Sequence, residues 1–363
     1  MSLRLGGKAV GCVFGLFLTG LTLSTLRAPF PYFGGKRRVA AEVWRRFGNV
    51  RSYVEPFFGS GAVLLARPQP FSGVETVTDI DGLLCNFWRA VKADPASVAE
   101  AADWPVSECD LTARHLWLVE RRESITERLC ADPEWFDAKA AGWWVWGACA
   151  WIGSGWCSGD GPWTRGADGE LVKLPHLGNA GQGINRKLPH LGDAGRGIKR
   201  KLPHLGDAGT GINTPGARVA AVFAELSERL SGLRICSGSW DRVLGDSVTW
   251  RHGMCGVFLD PPYDVGAMNY SAGGMGRGIA ADVRAWAVKA GERPDMRIAL
   301  CGYDEHDELH AAGWTPHKWK ARGGYGNQGG DDADDNRHRE VVWFSPACIK
   351  TDDSVFDFFG QAE

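Results

Sequence analysis

Short apolar runs that end in polar residues recur along this chain, and most are too brief for a helix. Arg51–Phe57 (RSYVEPF) reads as a strand running into a glycine-containing turn. Val74–Asp81 (VETVTDID) reads as a second strand, followed by a helix over GLLCNFWRAVKA. Gly256–Asp260 (GVFLD) and Met296–Tyr303 (MRIALCGY) read as further buried strands, with a helical pattern over Ala280–Ala290 between them. WTPHKWKA and REVVWFSP look like a closing pair of strands. Buried strands alternating with helices predict a mostly parallel α/β sheet.

Between Asp94 and Arg234 the pattern turns helical, as in ARHLWLVERRESITERLC and EWFDAKAAGWWVWGACAWIG. This region reads as a helical insertion into the sheet domain. Six tryptophans fall between Trp143 and Trp163. Such rings can stack on nucleic-acid bases, but a tryptophan-rich core is the simpler reading for most of them. The insertion also holds a 14-residue unit repeated three times, KLPHLGNAGQGINR, KLPHLGDAGRGIKR and KLPHLGDAGTGINT, over residues 173–214. Its prolines and glycines oppose long helices. Seven Lys/Arg against two Asp give the repeats +5, whereas the whole chain stands at −2. A basic, glycine-rich arm suits phosphate contacts; a flexible array expanded by replication slippage explains the repetition equally well. His176, His190 and His204 recur in register without Cys or Glu beside them, so no metal site is assigned.

Global charge therefore announces no polyanionic partner, and any basic surface is local. The ten cysteines are scattered with no CxxC pair, which speaks against a zinc ribbon or disulfide scaffold and suits the cytoplasm. The apolar stretch Ala9–Leu26 follows Arg4 and Lys8 as a signal peptide would, and its length is near the roughly 17–25 residues of a membrane span. We read it instead as an extension upstream of a domain that begins near Arg27.

Three short motifs carry candidate chemistry. In EPFFGSG, Glu55 ends a strand while Gly59 and Gly61 allow a tight turn close to a ligand. Asp79 lies 24 residues beyond Glu55, near the distance at which nucleotide-binding α/β folds place a ribose-binding acid; an ordinary strand–helix turn with a capping Asp uses the same residues. PYFGGK brings Gly34, Gly35 and Lys36 together ahead of that strand. In FLDPPYD, Asp260 leaves a strand at its carboxyl end, where open α/β sheets bind ligands. Pro261 and Pro262 have fixed φ and no N–H, and Tyr263 adds a flat face. A carboxylate, a free carbonyl and a ring together suit an exocyclic amine on a planar base.

With PYFGGK, EPFFGSG, TDIDGLLCNFW, FLDPPYD and IALCGY in this order between Phe30 and about Pro346, the chain resembles the Dam-type DNA adenine-N6 methyltransferases, in the form common in phages. The resemblance implies a Rossmann-like seven-stranded sheet, S-adenosyl-L-methionine as cofactor and a flipped adenine in DNA as substrate. By motif match, Tyr32 and Lys36 border the cofactor's methionine end. Glu55, Phe57, Gly59 and Gly61 form its loop, and Asp79 takes the ribose hydroxyls. Asp260, Pro261, Pro262 and Tyr263 form the amine site. One position departs: where the family often has an acid, CSGSWDRV carries Ser239, with Trp240 next. The expected organisation is an N-terminal extension (1–26), a catalytic domain (27–94 and 234–346), a helical target-recognition insertion (95–233) and an acidic tail (347–363). No metal or membrane partner is expected, and the protein is expected as a cytoplasmic monomer or weak dimer. The alternatives are a cytosine-N4 enzyme and a non-catalytic DNA-binding module on a decayed methyltransferase fold.

Overall fold

The computed structural model describes residues 26–32, 35–151, 156–157, 163–165, 171–173, 216–262, 278–303, 306–319 and 340–350. Most of the N-terminal extension and of the tandem repeats, together with Tyr263, the acidic run 331–335 and the residues after 350, lies outside them. In chain order the elements are α1 (Arg37–Phe47), β1 (Ser52–Glu55), α2 (Ala62–Leu65), β2 (Val74–Asp79), α3 (Gly82–Ala93), α4 (Pro95–Ala102), α5 (Glu108–Ala131), α6 (Ala138–Ala150), β3 (Trp163–Arg165), β4 (Leu171–Lys173), α7 (Gly216–Leu230), β5 (Leu233–Ser237), β6 (Cys255–Leu259), α8 (Ile279–Gly291), β7 (Met296–Tyr303), α9 (Asp307–Ala311), β8 (Thr315–Lys318) and β9 (Glu340–Phe344). Short 3-10 turns at Trp240–Val243 and Trp250–His252 join β5 to β6.

Seven strands form one sheet in the order β5-β2-β1-β6-β7-β9-β8. The first five run parallel, and β9 is antiparallel to both of its neighbours. The parallel sheet and the closing strand pair match the sequence expectation. β3 and β4 form a separate antiparallel pair. The chain moves outward from β1 to β2 and β5, then reverses through β6 to β7. The switch point thus lies between β1 and β6, at the crevice where open sheets bind ligands.

Two-residue alternation assigns each strand residue to a face. Tyr53, Phe258, Ala299, Cys301, Val342 and Phe344 enter one core, with helical residues such as Val43, Phe87 and Trp146. Val54, Val257, Leu259, Ile298, Leu300 and Trp343 enter the other, under Val283 and Ala287 of α8. Both faces are covered, so the central strands read as continuous apolar runs. The helices α4 to α7 bury their apolar sides in the first of these cores. Trp144 and Trp146 of α6 are buried there, as the core reading of the aromatic run predicts.

Helix starts follow side-chain capping. Asp81 accepts a bond from Leu83 N at the start of α3, Asp94 caps α4, Ser107 caps α5 and Asp137 caps α6. The expected second strand is two residues shorter than written, because Asp81 serves this capping role instead of continuing β2.

A buried charge cluster ties α7 to β2. Glu75 Oε1 lies 3.0 Å from Arg67 Nη1 and Glu75 Oε2 2.7 Å from Arg229 Nη1, all three side chains nearly inaccessible. Phe71 lies against both guanidinium groups. Removing one member of a buried ion cluster strands the others in a dry interior. Glu75→Ala is therefore expected to destabilise the fold by about 3–5 kcal/mol, read as a lowered urea midpoint against the unaltered protein.

Candidate active site

The carboxyl ends of β1, β2, β6 and β7 and the start of β9 converge along one edge of the sheet. On the β1–β2 side the turn after Glu55 is built on Gly59 (φ +48°) and Gly61 (φ +62°). Both occupy the left-handed region that strains any side-chain-bearing residue. A Cβ at Gly59 would also stand 2.6 Å from the Tyr32 ring. The peptide units around Gly59 are held at both ends. Its N–H donates to Asp79 Oδ2 at 2.9 Å, and its C=O accepts from Trp88 Nε1 at 3.0 Å.

Asp79 also accepts from Asp81 N through Oδ1 at 3.0 Å. Burial raises its carboxyl to about 6 although these amides favour the anion. Glu55 is buried deeper and accepts a 2.8 Å bond from Tyr53 OH. Burial, opposed by that bond and reinforced by the charge of Asp260, holds the Glu55 carboxyl well above the usual range. Phe57 faces Trp240 across the end of β5, the ring centroids 6.4 Å apart and the planes 21° from parallel. Tyr32, half exposed, meets Phe30 edge-on.

On the β6–β7 side, Lys36 is 5% exposed and its Nζ lies 3.0 Å from Asp260 Oδ2. Burial works against the Lys36 charge, yet Asp260, Cys301 and Glu340 together hold its pKa above the ordinary value. The Trp319 ring centroid lies 5.9 Å from the same Nζ. Burial and the Asp260 carboxylate push the Cys301 thiol well up. Pro261 is buried and Pro262 half-buried.

The structure thus brings Tyr32, Phe57, Gly59, Gly61 and Asp79 together around one turn, and joins Lys36 to Asp260 directly. Tyr263 lies outside the described residues. Sequence reading missed Cys301, Trp319 and Glu340 and assigned no role to Trp240. Cys301 and Glu340 sit at sheet-edge ends of runs already recognised as strands, so their placement was the available signal. Among the described residues no group of three or more His, Cys, Asp or Glu could hold a metal ion, and no helix is long and apolar enough to cross a membrane.

Because Asp79 holds its proton to about pH 6 in the folded chain against 3.8 ordinarily, the folded state binds more protons than the unfolded one across that window. The contribution of Asp79 to stability is therefore full below pH 3.8 and declines as pH rises to about 6. Denaturant titrations at stepped pH should show this decline in the unaltered protein. Asp79→Asn should lack it.

None of the curated proteins compared matches the chain. Residues 32–110 match the family model of the D12 class N6 adenine-specific DNA methyltransferases, a segment that carries Tyr32, Lys36, the Glu55–Gly61 turn and Asp79 but stops short of Asp260. Over that segment the chain is similar to the adenine-specific DNA methyltransferases.

Proposed function

We propose that the protein transfers the methyl group of S-adenosylmethionine to the N6 amine of an adenine flipped out of DNA. The observation that carries this reading is the Lys36–Asp260 pair at the sheet's switch point, beside a glycine turn clamped to Asp79. The residues fit the cofactor. Only a glycine at position 59 lets the Tyr32 ring lie against the turn, and the near-parallel rings of Phe57 and Trp240 suit the adenine of a nucleoside. Asp79 keeps unused lone pairs for ribose hydroxyls. Among the described residues, the carboxyl groups of Glu55, Asp79, Asp260 and Glu340 around Lys36 suit a sulfonium and an ammonium.

When bound, S-adenosylmethionine supplies an electrophilic methyl on sulfonium, so that a C–S bond breaks as the N–C bond forms. The chain's own part is to hold and orient the amine. The Asp260 carboxylate and the Pro261 carbonyl accept the two amine hydrogens, turning the nitrogen lone pair away from conjugation with the ring. Tyr263 stacks on the base. Lys36, 3.0 Å from Asp260 Oδ2, holds that carboxyl group in direction, so the acceptor is in place before the base arrives. The amine becomes acidic only as the methyl joins it, and Asp260 then takes the departing proton without having to be a strong base. Flipping the base out of the stack costs a few kcal/mol, met by contacts in the pocket and along the backbone.

The unaltered protein is expected to incorporate radiolabelled methyl into unmethylated genomic DNA, with N6-methyladenosine as the nucleoside found by mass after digestion. N4-methylcytosine as the product would replace this reading with the cytosine alternative. Asp260→Ala should lower the rate by about 10²–10⁴-fold while calorimetry shows cofactor affinity little changed. Trp240→Ala should instead weaken cofactor binding by about tenfold or more, the effect of losing a stacking ring at 1–3 kcal/mol.

A further inference from the structure

Beyond Asp260 the sheet continues through β7 and β9 to β8, away from the Gly59 turn and the Phe57–Trp240 rings. Two buried polar atoms there have no hydrogen-bond partner among the described residues: Glu340 Oε2 and Trp319 Nε1. Both belong to the site's far wall. Glu340 opens β9 opposite Tyr303 in the β7–β9 register, and Trp319 N donates to Glu340 O at 3.5 Å just past β8. The Trp319 ring lies near Lys36 Nζ, and the Glu340 carboxyl is within electrostatic reach of both Lys36 and Asp260. Leaving such atoms unpaired in a packed interior is unfavourable, and these two belong to residues that lie side by side where β8 and β9 meet, next to Lys36.

We infer that Glu340 and Trp319 read the methyl-accepting base, their unpartnered atoms taking the ring nitrogens that flank its exocyclic amine. The inference rests on the methyl transfer proposed above. An indole N–H donates and never accepts, so Trp319 meets an acceptor. Burial, opposed by Lys36 and reinforced by Asp260, raises the Glu340 carboxyl, which favours its protonated, donating form. Two donors beside an amine site suit adenine, whose N1 and N7 both flank N6. Cytosine offers N3 on one side of its amine and a C–H on the other. The placement also divides the pocket cleanly: cofactor over β1, β2 and β5, base over β6, β7 and β9. Enzymes that act on a flipped base read it by such edge contacts.

The test compares the unaltered full chain with Trp319→Phe, Glu340→Ala and Glu340→Gln on unmethylated genomic DNA. A second substrate is the same DNA copied with 7-deazaadenine in place of adenine. Trp319→Phe keeps the ring and loses only the N–H; Glu340→Gln keeps a donor. We expect Trp319→Phe and Glu340→Ala each to lose about tenfold or more in kcat/KM for DNA. The Kd for S-adenosylmethionine should stay within about twofold of the unaltered protein, which also reports an intact fold. Glu340→Gln should recover most of the loss. The deaza substrate should be poorer for the unaltered enzyme, and one of the two variants should no longer distinguish the two DNAs. Unchanged kcat/KM in both Trp319→Phe and Glu340→Ala overturns this inference alone, as does a loss confined to cofactor affinity. Absence of methyl incorporation by the unaltered protein overturns the underlying reaction as well.

Discussion

A lysine ammonium removed from water must find an anion, and the fold around this site is arranged to give Lys36 one. Its side chain is 5% exposed and ends 3.0 Å from Asp260. That contact joins the residue just before α1 to the residue just after β6, two points far apart in the chain but adjacent across the central strands. Unpaired, either charge would be costly at this depth. The pair therefore fixes where the segment leading into α1 runs and how the chain leaves β6. The functional groups are not set onto a finished scaffold; they belong to the charge pairing that completes it.

Around that pair the electrostatics lean one way. Glu55, Asp79 and Glu340 all hold their protons more tightly than free carboxyl groups do, with burial the leading cause in each. They are acids waiting for positive charge. A positive charge brought beside these groups would favour their ionised forms, which burial opposes. Among the described residues Lys36 stands beside several acids, and its contact is local, with the Asp260 carboxyl group.

Much of this architecture was written plainly in the sequence. GLLCNFWRAVKA and MRIALCGY coincide with α3 and β7 residue for residue, because a capped amphipathic stretch and a buried apolar run are strong local signals. The two glycines of EPFFGSG forecast a turn, and both indeed adopt positive φ. What local pattern does not carry is partnership across the sheet. Nothing within PYFGGK says which acid Lys36 meets, 224 positions later. Trp319 and Glu340 were legible as ends of strands, yet that each holds a buried atom without a partner among the described residues depends on β8 and β9 folding back beside β7. Asp81 closed the run written as a strand; its short side chain instead accepts from Leu83 N at the start of α3.

The clamp on Gly59 has a consequence for how a ligand is received. The amide is tied to Asp79 and the carbonyl to Trp88, so rocking the peptide would break a buried bond on either flank. A loop that flexible residues would leave to be ordered on binding is here ordered already. A ligand received at this turn would draw little on chain entropy, and its affinity would reflect contacts formed instead of disorder surrendered. Rigidity, usually the property of a core, has been moved by two hydrogen bonds to the rim of a binding crevice.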